Sequence, residues 1–571
     1  MDDKNSSLVS LLKPYWLWIV ILIIVTILAN GLNLVVPEIT SHAIDAYTNG
    51  NLVIPSVIFE FFLIALGIFL FTFLQSLVQT FASEQVARDL RNRLSAKISV
   101  QEYATIEMLT PAQLLTNLTS DVDAVKTFVS QAVASIVSSV FLIIGACTLL
   151  LLLDWRLALA VIAVLPIIAI SFYVVLGRVR KLFLKSQQII DWLNAVISES
   201  ILGSALIRLV NSQKKEQDKF SEAAQASRNI GLQIIGYFSL LIPVITFLSN
   251  FATLIILALG GYFVIHGSMT LGNFTAFNNY LLILIFPILV IGFMSNVIAQ
   301  AEASYARISK VLHTPDPSDT GTITKELSGA ISVKDLSIKY GERMTLKDIS
   351  FEIQPKTKNA IIGPTAAGKT QLLYMMTGLL QPSSGSISYD NEPIASYVKK
   401  GLHAQIGFVF QDSIIFNLSL RENIAFSNSV KDEDLQKAID TAELHDFIGA
   451  LPNGLDTIVS ERGTSLSGGQ KQRIMLARAL ALNPKILLLD DFTARVDTNT
   501  ERKILANVTA NYPDLTLISV TQKIAPIEEY DQIILLMEGE ILAIGTHEKL
   551  MKTSPEYVQI YDSQKSTESY E

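Results

Sequence analysis

Residues 357–380 read TKNAIIGPTAAGKTQLLYMMTGLL, and this stretch decides the fold of the C-terminal half. TKNAII reads as a strand, and QLLYMMTGLL has the apolar pattern of a helix. Between them stands Gly363-Pro364-Thr365-Ala366-Ala367-Gly368-Lys369-Thr370. This is G-x-x-x-x-G-K-[ST] in the strand-to-helix context that a phosphate-binding loop requires. The glycines let main-chain N–H groups wrap phosphates, and the helix N-terminus adds its partial positive charge. Lys369 can reach terminal phosphates, and the Thr370 hydroxyl can ligate Mg²⁺. The expected cofactors are ATP and Mg²⁺. A second apolar strand, Lys485 to Leu489, ends in Asp490, whose carboxylate is placed to hold Mg²⁺.

Outward from this core the composition changes. The chain has 571 residues, of which 50% are hydrophobic and 17% charged, with a mean hydropathy of +0.42. A charged fraction well below the roughly 25% of soluble domains argues against a wholly soluble enzyme. Residues 1–302 hold 17 Lys and Arg and 18 Asp and Glu, and the shorter remainder holds 27 and 34. The first half reads as membrane and the second as a soluble domain. The net charge of −8 offers no basic patch, so no nucleic-acid partner is expected. The single cysteine, Cys147, excludes a disulfide framework and a cysteine zinc site.

Six stretches are apolar enough to cross a bilayer, at about 20 residues each: 16–37, 57–80, 130–153, 157–177, 234–263 and 277–299. The third and fourth are separated only by Asp154-Trp155-Arg156, a tight hairpin. The polar continuations 84–126 and 178–228 are largely free of Gly and Pro and read as helices extending into water. Lys and Arg are absent from 43–56 and 265–276, number five from Arg88 to Lys126, and nine from Arg178 to Arg228. The positive-inside rule then puts both termini and the soluble domain in the cytoplasm of a multi-pass protein of the cell membrane. The deep polar residues are amides: Asn30, Asn33, Asn278, Asn279 and Asn296. Hydrogen bonding between helices is the plain reading. The alternative places Asn30, Asn33 and Asn278, with Phe286, on a cavity for amphipathic or apolar cargo. The expected division is a membrane domain over 1–310, a Pro- and Gly-punctuated linker over 311–328, and a nucleotide-binding domain over 329–571.

Leu466-Ser467-Gly468-Gly469-Gln470, shortly before the Asp490 strand, resembles the signature of ATP-binding-cassette (ABC) ATPases. Small Ser467, Gly468 and Gly469 at a helix start offer a hydroxyl and N–H groups to an anion. The resemblance extends along the cassette. Tyr340 matches the aromatic that stacks on adenine, Gln411 the glutamine that contacts Mg²⁺ and the attacking water, and Asp497 the D-loop aspartate. Thr457 to Gly463 (TIVSERG) matches the segment that exporters set against their coupling helices, with Ser460 in place of the usual Gly. The whole chain resembles one half of a bacterial multidrug-type ABC exporter. The fold this implies is an α-helical membrane domain fused to an α/β P-loop ATPase. The resemblance further implies a second half-subunit, with each ATP held between one chain's P-loop and the other's Ser467–Gln470 segment. It places coupling helices near 110–121 and 200–213.

Two departures from the family matter most. Asp491 stands where the family has the general base Glu, and Gln522 where it has the switch histidine. A carboxylate one methylene shorter retreats by about 1.5 Å, against catalytic contacts of roughly 2.6–3.2 Å. Gln can hydrogen-bond a γ-phosphate but carries no charge and relays no proton. The D-loop reads Ala494-Arg495-Val496-Asp497 instead of Ser-Ala-Leu-Asp. With the signature intact, this combination resembles the degenerate half of a heterodimeric exporter, whose own site binds ATP and hydrolyses it poorly. A slower homodimeric pump, a lipid flippase and a non-pumping ATP-regulated channel are the alternatives.

Overall fold

The computed structural model describes residues 8–317, 321–340, 343–460 and 463–568. The chain divides into two units: Met1–Val100 with Leu109–Pro315, and Gln101–Met108 with Asp316–Glu571.

The first unit is helical. Its spans are α1 (Trp16–Thr48), α2 (Ile54–Val100), α3 (Pro111–Leu153), α4 (Trp155–Leu202), α5 (Gln213–Ile265) and α6 (Leu271–Leu312). All six carry long apolar windows. At 1.5 Å per residue, the 47 residues of α2 extend about 70 Å, more than twice the ~30 Å hydrocarbon layer. The polar continuations are therefore part of the same helices, as their lack of helix breakers predicts. Asp154 alone separates α3 from α4. Its extended backbone (φ −160°) ends one helix. Its carboxylate caps the next by accepting from the N–H groups of Arg156 (2.9 Å) and Leu157 (3.1 Å).

Near the outer end of the unit, α1 and α6 approach closely. The Gly272 N–H donates to Asp45 Oδ1 at 2.7 Å, and a Cβ at Gly272 would sit 2.1 Å from the Ser41 carbonyl oxygen. Deeper, the buried Tyr280 hydroxyl donates to the Leu34 carbonyl at 2.9 Å. That bond lies in the turn before Pro37, whose missing N–H interrupts the α1 ladder. The Asn30 amide accepts from Ser138 Oγ at 2.9 Å and donates to the Thr26 carbonyl at 2.7 Å, so it binds α1 to α3. Phe286, by contrast, is 69% exposed. In the water-exposed extensions ion pairs join the helices. Arg307 of α6 grips both carboxylate oxygens of the buried Asp121 of α3 through one guanidinium edge, Nε and Nη2. Arg91 and Glu84 of α2 pair with Asp123 and Lys126 of α3.

The second unit has two sheets. β1 (Ile331–Tyr340), β2 (Arg343–Ile353), β4 (Ser384–Tyr389) and β5 (Glu392–Pro393) form an antiparallel sheet in the order β2-β1-β4-β5. β3 (Lys358–Ile362), β6 (Ile406–Val409), β7 (Ile486–Asp490), β8 (Thr516–Thr521), β9 (Gln532–Met537) and β10 (Glu540–Gly545) form the other, in the order β10-β9-β3-β8-β7-β6. Successive residues of its strands feed opposite cores. Ala360, Ile362, Leu487 and Leu489 face one, and Ile361, Ile486 and Leu488 the other. Burial of both faces is why these parallel strands read as unbroken apolar runs.

The segment Gln101–Met108 groups with this second unit. It carries a short helix, Tyr103–Leu109, ahead of the expected 110–121. Residues from Pro111 onward instead begin α3, with Pro111 in the first turn, where its absent N–H costs nothing. The second short helix, Ser204–Leu209, falls inside the expected 200–213.

The close approach at Gly272 generates a test. Gly272→Ala must displace main-chain atoms and is expected to cost about 2 kcal/mol, lowering the melting temperature in detergent. Gly231→Ala, where a Cβ meets nothing within 4 Å, is expected to be neutral or to gain up to about 1 kcal/mol.

Candidate functional site

Four neighbouring parallel strands deliver the candidate residues to one edge of the sheet. In register, Ile362 lies opposite Thr521, Asp490 opposite Val520, and Val409 opposite Leu489. The strands therefore end together. β3 leads into the loop 363–368, β8 into Gln522, β7 into Asp490-Asp491, and β6 into Phe410-Gln411. Residues dispersed over 160 positions meet because the strands share a direction and a register.

The loop after β3 is packed tightly enough to need its glycines. A Cβ at Gly363 would lie 2.0 Å from the Leu536 carbonyl oxygen. Gly368 has φ +97°, and a Cβ there would lie 2.5 Å from Leu346 Cδ2. Ala366 also adopts a left-handed backbone, φ +64°, which costs an L-residue about 1 kcal/mol. From Gly368 the helix α7 (Lys369–Met376) begins. The Lys369 ammonium folds back and donates to the carbonyls of Gly363 (2.8 Å) and Pro364 (2.7 Å). Burial lowers its pKa, and the neighbouring Asp491 and Asp490 oppose that shift.

Asp490 is 1% exposed. Burial raises its carboxyl pKa; the Thr370 hydroxyl bonded to it lowers it, Asp491 raises it, and Lys369 lowers it. Its Oδ2 accepts no hydrogen bond among the described residues. A buried, unpaired carboxylate oxygen beside a threonine hydroxyl is a hard-oxygen donor set that fits Mg²⁺. Asp491 stands in the left-handed region, φ +48°, and its N–H donates to the Val520 carbonyl at 3.0 Å. The side chain of Gln411 is exposed. Its carbonyl accepts from Gln472 Nε2 at 3.4 Å.

Gln472 belongs to α9, counting α8 (Leu420–Ile424) before it; α9 spans Gly468–Leu480. Its start is a reciprocal cap: Ser467 Oγ accepts from the Gln470 N–H (3.2 Å) and Gln470 Oε1 from the Ser467 N–H (2.8 Å). The glycines between them also face Arg495. A Cβ at Gly468 would lie 3.1 Å from Arg495 Cδ, and one at Gly469 2.9 Å from its carbonyl oxygen. Asp497 caps α10 (Thr498–Asn511) by accepting from the Thr500 N–H at 3.0 Å, and that hydrogen bond lowers its pKa. Tyr340 closes β1, and its side chain lies outside the described residues, as do Glu461 and Arg462.

Three groups escape sequence reasoning. Arg478 of α9 donates to three acceptors: the Asn423 carbonyl (2.6 Å), the Ile414 carbonyl (2.9 Å) and Asn423 Oδ1 (3.1 Å). Burial pushes its pKa down to about 10. Tyr374 of α7 packs on Phe408 and Phe410 before Gln411, and on Tyr103. Gln564 bonds the main chain on either side of Lys523, to Gln522 and Ile524. None has a local signature; each is defined by a partner distant in the chain.

Two expected outcomes follow from this geometry. Ala366→Gly removes the left-handed strain and is expected to raise the melting temperature by the equivalent of up to about 1 kcal/mol. Asp490→Asn bears on pH. A folded carboxyl with a raised pKa opposes folding once the pH exceeds its unfolded value of about 4, and in full above the folded value. Asp490→Asn should therefore be more stable than the parent at neutral pH without nucleotide. The gain should shrink as the pH falls towards 4. Addition of Mg²⁺ and ATP should stabilise the parent more than the variant, which keeps the phosphate contacts and loses the Mg²⁺ carboxylate, read by melting curves.

Comparison with known proteins agrees with this construction. Residues 19–288 match the ABC transporter transmembrane region, and residues 346–494 match the ABC transporter family of ATPase domains. The chain is 33% identical to the uncharacterized ABC transporter ATP-binding protein YfiB of Bacillus subtilis (strain 168), over 98% of this chain and 99% of that protein. It is 28% identical to the ATP-dependent lipid A-core flippase of Syntrophus aciditrophicus (strain SB), over 98% and 94%. It is 27% identical to a multidrug resistance ABC transporter ATP-binding and permease protein of Lactococcus lactis subsp. lactis (strain IL1403), over 98% and 96%. Among solved structures, a bacterial Atm1-family ABC exporter with ATP bound aligns at a TM-score of 0.80 and 24% identity, covering 97% of this chain and 98% of that one. Six membrane-crossing helices followed by a P-loop ATPase unit, matched end to end by such relatives, make this chain a member of the ABC transporter family, a multi-pass cytoplasmic-membrane protein whose ATP-hydrolysing domain is cytoplasmic.

Proposed function

We propose that the chain is one half of an ATP-driven exporter of amphipathic or hydrophobic compounds, paired with a different second half, and that its own ATP site binds nucleotide and hydrolyses it slowly. The observation that carries this reading is Asp491. Its main chain is tied to β8 through Val520 and already occupies a left-handed conformation. A carboxylate one methylene short cannot be advanced by a small backbone movement there.

In this reading the main-chain N–H groups of 363–370 and the Lys369 ammonium hold the phosphates of ATP. Tyr340 stacks on the base. Thr370, Asp490 and Gln411 are the ligands for Mg²⁺, which supplies charge neutralisation at the phosphates when bound. Gln522 hydrogen-bonds the terminal phosphate without charging it. Ser467, Gly468, Gly469 and Gln470 serve the nucleotide of the second half. In this reading the membrane domain covers 1–310, the linker 311–328 and the nucleotide-binding domain 329–571.

The cargo class is supported by the amide and aromatic character of the spans and by the multidrug resistance relative. Asn30 is committed across to Ser138 of α3, whereas Asn33 bonds the Ala29 carbonyl of its own helix, so Asn33, Asn278 and the exposed Phe286 are the better cavity candidates. A lipid cargo is the second reading, favoured by the flippase relative, which matches over the same 98% of the chain.

The test is the ATPase rate of the purified chain alone in lipid, against Lys369→Ala and across a panel of amphipathic dyes. Negligible turnover with intact ATP binding is expected. Asp491→Glu should raise turnover at least about tenfold, since a placed general base contributes about 10²–10⁴-fold. A robust, Lys369-dependent and dye-stimulated rate in the parent would replace the heterodimer with a homodimeric pump. Stimulation by labelled lipid and not by dyes would select the flippase.

A further inference from the structure

We infer that Gln564, on the C-terminal helix, is a positioning residue for Gln522, so that the last helix of the chain sets how the ATP site senses a terminal phosphate.

The observation is a two-point clamp. Gln564 Nε2 donates to the Gln522 carbonyl at 2.6 Å, and Gln564 Oε1 accepts from the Ile524 N–H at 2.9 Å. One carboxamide thus pairs with the backbone on either side of Lys523, as a neighbouring strand would. The segment needs such a partner. β8 ends at Thr521, so the ladder stops one residue before Gln522. Beyond the clamp, the Lys523 N–H donates to Thr521 Oγ1 at 3.1 Å, and Ile524 is fully buried. The Gln522 side chain itself is exposed, so its main chain is what fixes where the side chain begins and the direction of its Cα–Cβ bond.

The helix that carries the clamp is anchored. It spans Pro555–Glu568, and Ser554 Oγ accepts from the Tyr557 N–H at 3.3 Å. Tyr557 is fully buried, with its hydroxyl 2.9 Å from His547 Nδ1. Ile560 and Tyr561 pack on the same core. Positions 557, 560, 561 and 564 lie at offsets 0, 3, 4 and 7, one stripe of a helix. Gln564 is the polar end of that stripe, two turns beyond the Tyr557 anchor, and it is presented to the Gln522 backbone by a helix with little freedom to move.

The inference rests on the reading of Gln522 as the residue facing the terminal phosphate, and its test separates the two. Hydrogen–deuterium exchange and nucleotide binding are measured on full-length protein in lipid, for the parent, Gln564→Ala, Gln564→Glu, Gln522→Ala and the double variant Gln522→Ala/Gln564→Ala. In Gln564→Ala, exchange over 522–525 should accelerate at least about tenfold while 363–370 is unchanged. Affinity for Mg·ATP should fall about three- to tenfold, the worth of one hydrogen bond, and that for Mg·ADP should not change. The double variant should match Gln522→Ala alone. Gln564→Glu keeps an acceptor for Ile524 and loses the donor for Gln522, so it should retain protection at Ile524 and lose the preference for ATP. Unchanged exchange in Gln564→Ala overturns the clamp. Faster exchange with an unchanged ATP-to-ADP preference, in a protein where Gln522→Ala lowers it, overturns the positioning role. An inert Gln522→Ala instead overturns the phosphate reading of Gln522, and with it the sensing role, while the exchange result still decides whether Gln564 holds the segment.

Discussion

The constraint on which the ATP-binding half depends is the common direction and register of β3, β8, β7 and β6. Each strand ends within a residue of its neighbour, and each is followed within two residues by a residue of the site. A slip of one residue in any pairing would exchange its two faces between the two cores. It would also withdraw a functional side chain from the edge. The apolar packing that stabilises the sheet and the placement of the chemistry are therefore one property. This is why Asp490 is only 1% exposed although it is ionisable: it is the last residue of a strand enclosed on both faces.

That burial creates an electrostatic compromise. Lys369 and Asp490 are both taken out of water, and burial disfavours the charge of each. Their mutual attraction works against this, and it is shared with Asp491. The Lys369 ammonium meets two carbonyls of its own loop, while one oxygen of Asp490 has no hydrogen-bond donor among the described residues. The site holds unequal and incompletely satisfied charge, as a receptor for an anion bound with a cation requires.

Much of this was legible in the sequence because it is written locally. The P-loop, the β7 run, the signature cap and the six spans each depend on residues within about 20 positions of one another. A tight hairpin at Asp154-Trp155-Arg156 was equally visible, though Trp155 and Arg156 belong to α4 and Asp154 alone makes the connection. What escaped depends on contacts across the chain. The grip of Arg307 on Asp121, the pressure of the Arg495 carbonyl on Gly469, and the left-handed turn at Ala366 have no periodicity to betray them. The first short helix was displaced from 110–121 to Tyr103–Leu109 for another reason. The 110–121 placement came from the family resemblance, whereas Pro111, whose absent N–H suits a first turn, opens α3. Asp497, matched to a family motif, also has a plain structural duty as the cap of α10, and the two descriptions are compatible.

The connection at Asp154 bears on how the membrane half can move. One residue spans about 3.8 Å between α-carbons, so the outer ends of α3 and α4 have no slack. They form a closed clasp on the extracellular side, whereas five residues join α1 to α2 and another five join α5 to α6. Whatever path cargo takes, it cannot leave between α3 and α4 at that face. Away from the clasp the two helices keep different company: α4 packs along α5, and α3 along α6 and α1. The clasp therefore ties together helices that otherwise belong to different neighbours, and a separation of their cytoplasmic ends asks no movement of the outer surface.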